Sequence, residues 1–444
     1  MVDKTEEVIS LWFQNREETL KLYNSNNSIL SYLGDTTNPV CRLLGSSIKL
    51  DKKLGEGAYG KVFSVVLNDG DKKKYVAKVV DKLVYNNNPA DDLSLDVWAK
   101  HVSREIPIDP NIIINFNGGN PNVKPRYILI PTFMADCVTT SPRKYKSTYD
   151  KHQIVVSPKT YICGGENPML EYLFGILTGN LYRSGTSINF LDTFAFASCL
   201  DGLDKGAKVI EQTKPVTYMF SQQLNNDWDG IDKCLYGEKK SDYKTDLTVQ
   251  VIHAIAVLQE RYQIVHGDLK TPNILVEYVT SATMWQGKRI QDYDYFEYIV
   301  GNKSIYMKAT PVIVKITDYG LSQKYSDPQI LSQSIMDIEF NDFGEPIIPN
   351  WFDKTYDLAF HFWYLRHNVP FAEECLCWIY GIKYTDRDRI KKLSKFFTSN
   401  RRPKGTLPPS QEKSPYNLLL DSHIMKKYYT IPPPGSSILT IGKC

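Results

Sequence analysis

The feature that most constrains the fold of this 444-residue chain is a glycine-rich segment followed at once by a β-branched run. Residues 55–62 read GEGAYGKV, a G-x-G-x-x-G-x-V pattern. In a dinucleotide-binding unit the last glycine opens a helix, whereas here residues 61–67 (KVFSVVL) favour a strand. Residues 68–70 (NDG) then favour a hairpin turn and residues 75–80 (YVAKVV) another strand. The pattern predicts a hairpin whose glycine loop can lie over phosphates, because glycine has no Cβ.

Lys78 lies inside the apolar strand 75–80, where an unpaired ammonium group would be costly to bury. In isolation it could equally be a lysine of an edge strand that points to solvent. Its position one hairpin after the glycine loop favours phosphate binding instead.

Residues 266–273 read HGDLKTPN and place three polar side chains at the spacing of a phosphoryl-transfer loop. Asp268 can accept the proton of an attacking hydroxyl, Lys270 can neutralise charge on the moving phosphoryl group, and Asn273 can ligate a metal ion. A short polar loop of this kind is more often a simple turn. The order of the glycine loop, the strand lysine and this loop argues against that simpler interpretation.

The last motif in the series is the segment 312–320 (VIVKITDYG), an apolar run that ends at Asp318 and a glycine. A strand of this kind presents a carboxylate at a turn, beside nucleotide phosphates. Alone the pattern is common and usually structural. In fourth place, after the three preceding motifs, it indicates a Mg²⁺ ligand.

In this order the motifs resemble those of the eukaryotic-type serine/threonine protein kinase superfamily over about residues 48–371. The strand motif has one residue fewer before Lys78 than the family pattern, Gly267 replaces an arginine, and Tyr319 replaces a phenylalanine. Lys270 is the residue that serine/threonine kinases carry at its position. The resemblance implies an α+β, bilobal fold with a small antiparallel β lobe and a large, mainly helical lobe with insertions.

The resemblance also implies the site. Asp268, Lys270 and Lys78 would be catalytic, Asn273 and Asp318 would hold Mg²⁺, and ATP would bind under the glycine loop in a cleft between the lobes. Glu105 is our choice for the helix-C glutamate that pairs with Lys78. The residues expected around ATP are Leu54, Gly55, Glu56, Gly57, Ala58, Tyr59, Gly60, Lys61, Val62, Ala77, Lys78 and Glu105.

Further elements follow from the family pattern and from apolar spacing. Asp357 matches the helix-F aspartate that hydrogen-bonds the catalytic-loop backbone. The apolar residues after about Thr245 predict a helix before the catalytic loop, with Asp246 as its N-cap. Residues 8–23 predict an amphipathic helix that packs on the small lobe.

Departures from the family pattern bear on how the protein would be regulated and on which kinases it resembles. The arginine that Gly267 replaces normally reads a phosphorylated activation loop, so switching by that route is not expected. Two expansions, at 136–244 and 281–311, resemble those of kinases from large cytoplasmic DNA viruses such as poxviruses and iridoviruses. The expected organisation is an N-terminal helical extension, a small lobe, an insertion with the start of the large lobe, the large lobe and a proline-containing extended tail, at 1–47, 48–135, 136–244, 245–402 and 403–444.

Composition agrees with a large soluble enzyme. The chain is 42 % hydrophobic, and its net charge of +3 is too small to indicate nucleic acid as a partner. We expect protein substrates with serine or threonine acceptors, and no membrane span. The eight cysteines are scattered, which favours buried, reduced thiols and a cytoplasmic location, in a host cell or virion if the protein is viral.

Two alternatives remain at this point. His-Gly-Asp also occurs in small-molecule kinases of the aminoglycoside-phosphotransferase type, although the full glycine motif and Lys270 argue against them. A pseudokinase scaffold is disfavoured because Lys78, Asp268, Asn273 and Asp318 are all present.

Overall fold

A computed structural model gives the structure of the chain. It describes residues 4–24, 38–56, 60–67, 75–80, 115–117, 143–146, 153–156, 168–199, 216–224, 226–228, 240–320, 322–324, 353–385, 393, 397, 413–421 and 423–442. These residues form a mixed α and β structure with antiparallel sheets and several helices, as the α+β prediction required.

The α-helices are α1 (Lys4–Asn24), α2 (Pro39–Leu43), α3 (Pro168–Arg183), α4 (Lys240–Tyr262), α5 (Tyr356–Leu365), α6 (Pro370–Ile379) and α7 (Pro415–Asp421). The strands are β1 (Ile48–Glu56), β2 (Lys61–Leu67), β3 (Tyr75–Val80), β4 (Asn115–Asn117), β5 (Arg143–Lys146), β6 (Gln153–Val156), β7 (Thr193–Cys199), β8 (Val216–Gln222), β9 (Asn226–Asp227), β10 (Ile264–Val265), β11 (Ile274–Tyr278), β12 (Met284–Trp285), β13 (Lys288–Arg289), β14 (Tyr295–Val300), β15 (Lys303–Lys308), β16 (Val312–Ile316), β17 (Gln323–Lys324) and β18 (Ile438–Ile441). Short 3₁₀ helices span Thr271–Asn273, Ile290–Asp292 and His423–Tyr429.

The chain divides into two compact units. The first contains residues 1–173, 194–221 and 320–351, and the second contains residues 174–193, 222–319 and 352–444. The first unit is built on a five-stranded sheet in the order β1-β2-β3-β8-β7, and its first three strands confirm the predicted hairpins. Strands β7 and β8 lie in the range 136–244, so the sheet extends past residue 135, the predicted end of the small lobe.

The core of the first unit joins the sheet to the N-terminal helix. Val8 and Trp12 of α1 are buried together with apolar residues of β2, β3, β7 and β8. Helix α1 confirms the amphipathic helix predicted at residues 8–23, and it is slightly longer at both ends. The apolar stripe of α1 accounts for this packing, because burying such side chains removes their surface from water.

A disulfide bond joins Cys41 in α2 to Cys199 at the end of β7. The expectation of reduced thiols is therefore wrong for this pair. The two cysteines are 158 residues apart in sequence, so their spacing carried no signal, and the fold brings their Cα atoms to 5.5 Å. Cys375 and Cys377 are free and buried in α6, as predicted for them.

The second unit is built around the hairpin of β11 and β16, with β9 beside β11. Helix α4 precedes this hairpin and begins at Lys240, earlier than predicted. Asp246 therefore lies inside the helix and is not its N-cap; its carboxylate accepts a hydrogen bond from the Tyr428 hydroxyl at 2.8 Å.

The range 281–311, predicted as an insertion, forms a small sheet with the C-terminal part of the chain. Strands β14 and β15 make a hairpin, and β18 adds to β14 in parallel. The end of the chain is thus part of the second unit and does not form a merely extended tail. Among the residues the structure describes, no helix combines the length and apolar character needed to cross a membrane.

Candidate active site

The glycine-rich hairpin and Lys78 lie in one row across three strands. Gly55 in β1 pairs with Val62 in β2, and Val62 in turn pairs with Lys78 in β3. Residues paired across antiparallel strands project to the same side of the sheet. The register therefore places Lys78 directly beside the base of the glycine loop.

The structure describes most of the predicted nucleotide-binding residues. Leu54, Gly55 and Glu56 end β1, and Lys61 and Val62 begin β2. Gly57, Ala58 and Tyr59, at the tip of the loop, lie outside the described residues. Gly60 is required sterically, because a Cβ there would lie 2.8 Å from the carbonyl oxygen of Val79.

Lys78 forms an ion pair with both carboxylate oxygens of Glu171, which lies in the first turn of α3. Its Nζ lies 2.8 Å from Oε1 and 2.7 Å from Oε2 of Glu171, and only 3 % of the Glu171 side chain is exposed. A carboxylate this deeply buried is stabilised by a cation that bonds both oxygens. The partner that the sequence suggested for Lys78, Glu105, lies outside the described residues.

Glu171 is a candidate site residue that the sequence motifs did not identify. It is a single acid in the apolar run MLEYLFGIL of α3. Glutamate is rarely buried without a paired cation. An isolated acid on a helix that is otherwise apolar was therefore a usable signal.

Strand alternation corrects the assignment of Ala77. Successive residues of a strand face opposite sides, and Ala77 is fully buried in the core of the first unit, on the side away from Lys78. Val76, two residues before Lys78, shares the side of the lysine and is only partly buried. Because the motif has one residue fewer before Lys78 than the family pattern, the residue on the same side of the strand as Lys78 is Val76 and not Ala77. Val76 therefore replaces Ala77 as the candidate nucleotide contact.

In the loop 266–273, the side chains of Lys270 and Asn273 both bond the carboxylate of Asp268. Lys270 Nζ lies 2.7 Å from Oδ2 of Asp268. Nδ2 of Asn273 donates to the same oxygen at 3.0 Å and to the backbone oxygen of Asp268 at 2.8 Å. Asp268 and Asn273 are both largely buried, so the bonds that hold their side chains are shielded from competition by water.

Asp357 of α5 holds the backbone of this loop, as predicted. Its Oδ2 accepts from the N–H of His266 at 2.8 Å, and its Oδ1 accepts from the N–H of Gly267 at 2.9 Å. Asp357 is fully buried, and burial raises the pKa of its carboxyl group against the opposing influence of His266 and these amides. Gly267 adopts a φ of 81°, a conformation that favours glycine over the arginine of the family pattern.

Asp318 is brought to the same loop by strand register. Asn273 directly precedes β11 and Thr317 directly follows β16, whose end residues Ile274 and Ile316 are paired. The N–H of Thr317 donates to the Asn273 carbonyl at 3.2 Å. Asn273 and Asp318 therefore lie at the same end of the antiparallel strand pair β11–β16.

The backbone at Asp318 is in the left-handed region, with a φ of 65°. Residues other than glycine adopt this conformation rarely, and it is concentrated at functional sites. His266 bonds the Thr317 carbonyl through Nε2 at 2.9 Å, and its ring lies 5.2 Å from that of Tyr319. Burial raises the pKa of the Tyr319 hydroxyl, which stays protonated and donates to the Ile316 carbonyl.

The donor set at this hairpin end fits Mg²⁺ better than a transition metal. Within the described ranges, no group of three or more His, Cys, Asp or Glu side chains is arranged to hold a metal ion. Mg²⁺ needs less from the protein, since one or two side-chain oxygens combine with substrate phosphates and water. The Asn273 amide donates its hydrogen bonds to Asp268 through Nδ2, so its Oδ1 and the Asp318 carboxylate are the oxygen atoms that would hold the ion.

Comparison with protein-family models gives no match, and comparison with curated proteins gives none either.

Proposed function

We propose that this protein is an ATP-dependent kinase that transfers the γ-phosphoryl group to serine or threonine hydroxyls of protein substrates. The observation that carries the proposal is the Lys78–Glu171 ion pair. A strand lysine paired with a helix glutamate is the arrangement that protein kinases require in their active state. The sequence motifs did not identify Glu171, so the pair is independent support for them.

The first unit supplies groups for the nucleotide. The glycine hairpin offers backbone N–H groups to phosphate oxygens, and Lys78 offers a cation held in place by Glu171. Both carboxylate oxygens of Glu171 accept hydrogen bonds from the Lys78 ammonium group. The position of that positive charge is therefore set before the nucleotide binds. Preorganised charge of this kind stabilises a transition state without reorganisation during the reaction.

The second unit supplies groups for the transfer. Asp268 would orient the acceptor hydroxyl and take its proton, and Lys270, held at 2.7 Å from Asp268, would neutralise charge on the moving group. Asn273 and Asp318 would hold Mg²⁺, which when bound supplies neutralisation of phosphate charge. The bonds from His266 and Gly267 to Asp357 keep this loop in one conformation.

The test is transfer of radiolabelled γ-phosphate from Mg-ATP to a generic serine/threonine protein substrate. Label on serine or threonine that falls at least about 100-fold in Asp268→Asn supports the proposal. Asp292→Asn is the matched control, because Asp292 is an exposed aspartate of the same unit. Label on a small alcohol with none on protein would instead indicate a small-molecule kinase, and nucleotide binding without any transfer would indicate a scaffold.

A further inference from the structure

Helix α1 packs against the strand that carries Lys78. The ring of Trp12 meets the edge of Tyr75 at 5.2 Å between centroids, and Tyr75 begins β3, three residues before Lys78. The same indole stacks on Phe220 at 5.1 Å and on Phe194 at 5.8 Å. Trp12 is almost fully buried by these contacts, so α1 is part of the core of the first unit.

A second residue of α1 reaches the helix that carries Glu171. Oδ1 of Asn15 accepts a hydrogen bond from the hydroxyl of Tyr172 at 2.9 Å and another from the N–H of Phe196 at 3.0 Å. Asn15 is 4 % exposed and Tyr172 is fully buried. One buried amide oxygen thus joins α3 to the edge strand β7.

We propose that Asn15 is a positioning residue, which fixes the rotation of α3 through Tyr172 and thereby holds Glu171 against Lys78. This inference rests on the proposed kinase function. Tyr172 directly follows Glu171, and neighbouring residues of a helix point about 100° apart, so one helix rotation sets both side chains. A rotation that broke the Asn15–Tyr172 bond would also turn the Glu171 carboxylate away from the ammonium group.

The Asn15–Tyr172 hydrogen bond adds a directional restraint to the apolar packing of α3. Hydrophobic contact is non-directional, and its free energy depends mainly on the apolar area removed from water. A buried hydrogen bond has a preferred length and angle, and leaving its partners unmet is costly. The Asn15–Tyr172 bond therefore favours the observed orientation of α3 over rotations that would leave the buried amide oxygen and hydroxyl unpaired.

The experiment compares Tyr172→Phe with Thr19→Val in the phosphotransfer assay. Tyr172→Phe removes the hydroxyl and keeps the ring that packs 5.2 Å from Phe196. Thr19→Val removes a buried hydroxyl of α1 that bonds the Asn15 carbonyl, so it reports damage to α1 alone. We expect Tyr172→Phe to lower kcat about tenfold, the value of one buried hydrogen bond, with the KM for protein substrate unchanged.

Epistasis separates positioning from general destabilisation. In a Glu171→Gln background, Tyr172→Phe should have no further effect on kcat, because the group it positions is already absent. A second variant, Asn15→Ala, should repeat the kcat loss of Tyr172→Phe and add nothing to it in the double variant. Equal kcat losses in Tyr172→Phe and Thr19→Val, or additive losses with Glu171→Gln, would overturn the inference.

Hydrogen exchange distinguishes this inference from the proposed function. If the wild type transfers no phosphate, the kinase proposal fails, and amide exchange over residues 168–183 then decides on positioning. Faster exchange of this helix in Tyr172→Phe but not in Thr19→Val supports an orienting bond. Unchanged exchange in both variants refutes it.

Discussion

The N–H of His266 donates a 2.8 Å hydrogen bond to a carboxylate oxygen of Asp357, a residue 91 positions later in the chain. The other oxygen of Asp357 serves the next amide, so one buried side chain sets two consecutive peptide groups just before Asp268. The conformation of the loop 266–273 thus depends on a buried residue of α5.

We predict that Asp357→Asn destabilises the protein by about 2–3 kcal/mol, because one of the two amides then faces an N–H donor. Urea unfolding measures this change, and kcat should fall with it at temperatures where the variant is folded. Asp292→Asn, on the surface, should alter neither quantity. A variant with wild-type stability and kcat would show that the two bonds to Asp357 do not hold the loop.

Glu171→Gln should lower kcat about 100-fold, because a neutral amide no longer holds the Lys78 ammonium group. Glu105→Gln should leave activity close to that of the wild type. The pair of variants tests the structural assignment against the sequence-based one in a single assay. Loss of activity in Glu105→Gln alone would restore the original assignment.

Asp318 allows backbone strain and chemistry to be separated. Both Asp318→Gly and Asp318→Ala remove the carboxylate and should abolish phosphotransfer. Glycine tolerates the φ of 65°, whereas alanine does not, so the alanine variant should be less stable by about 1–2 kcal/mol. Thermal unfolding of both variants measures the difference, and equal stabilities would mean that the backbone relaxes.

The motifs built from residues close in sequence were the ones that could be predicted. The glycine hairpin, the loop 266–273 and Asp318 each depend on local order, and strand register then brings the last two together. Glu171 could not be placed by family spacing, because 93 residues separate it from Lys78. An acidic residue in an apolar helix indicates that a cation lies nearby, but it does not indicate which lysine or arginine supplies that cation.

Elements that depend on long-range contacts were harder to predict. The prolines after residue 403 suggested an extended tail, but α7 and β18 lie within this range and pack in the second unit. Asp246 looked like an N-cap, because the residues before it lack the apolar periodicity that marks a helix. Secondary-structure propensity and the spacing of apolar residues do not indicate which distant segment of the chain packs against a helix or strand.

The disulfide gives a prediction about redox sensitivity. Reduction should destabilise the first unit by about 2–4 kcal/mol, because the unfolded chain regains the freedom that the Cys41–Cys199 bond removes. Thermal unfolding with and without reductant measures the effect. Cys41→Ser should unfold at the temperature of the reduced wild type and should not respond to reductant. An identical reductant response in wild type and Cys41→Ser would contradict the assignment.

Two buried histidines should make the second unit sensitive to acid. Burial lowers the pKa of His253 and of His361 to about 3, so both stay neutral in the folded state. Unfolded histidine takes up a proton near pH 6.5, so stability is lost as the pH falls from about 6.5 towards 3.

Each histidine should contribute a loss of about 2 kcal/mol between pH 7 and pH 5. His361→Gln removes one titrating group and should lose that much less stability over this interval in urea unfolding. His423→Gln is the matched control, because His423 is an exposed histidine of the same unit. Equal pH slopes for the wild type and His361→Gln would show that His361 is protonated in the folded protein.

The parallel pairing of β18 with β14 has a consequence for biosynthesis. While the ribosome is still adding the residues between Lys308 and Ile438, the hairpin of β14 and β15 has an unpaired edge at β14. At a usual elongation rate this interval lasts roughly ten seconds, long enough for an open edge to meet another nascent chain. Pairing of β18 closes that edge, so residues 438–441 protect the newly made β14–β15 hairpin from pairing with another chain.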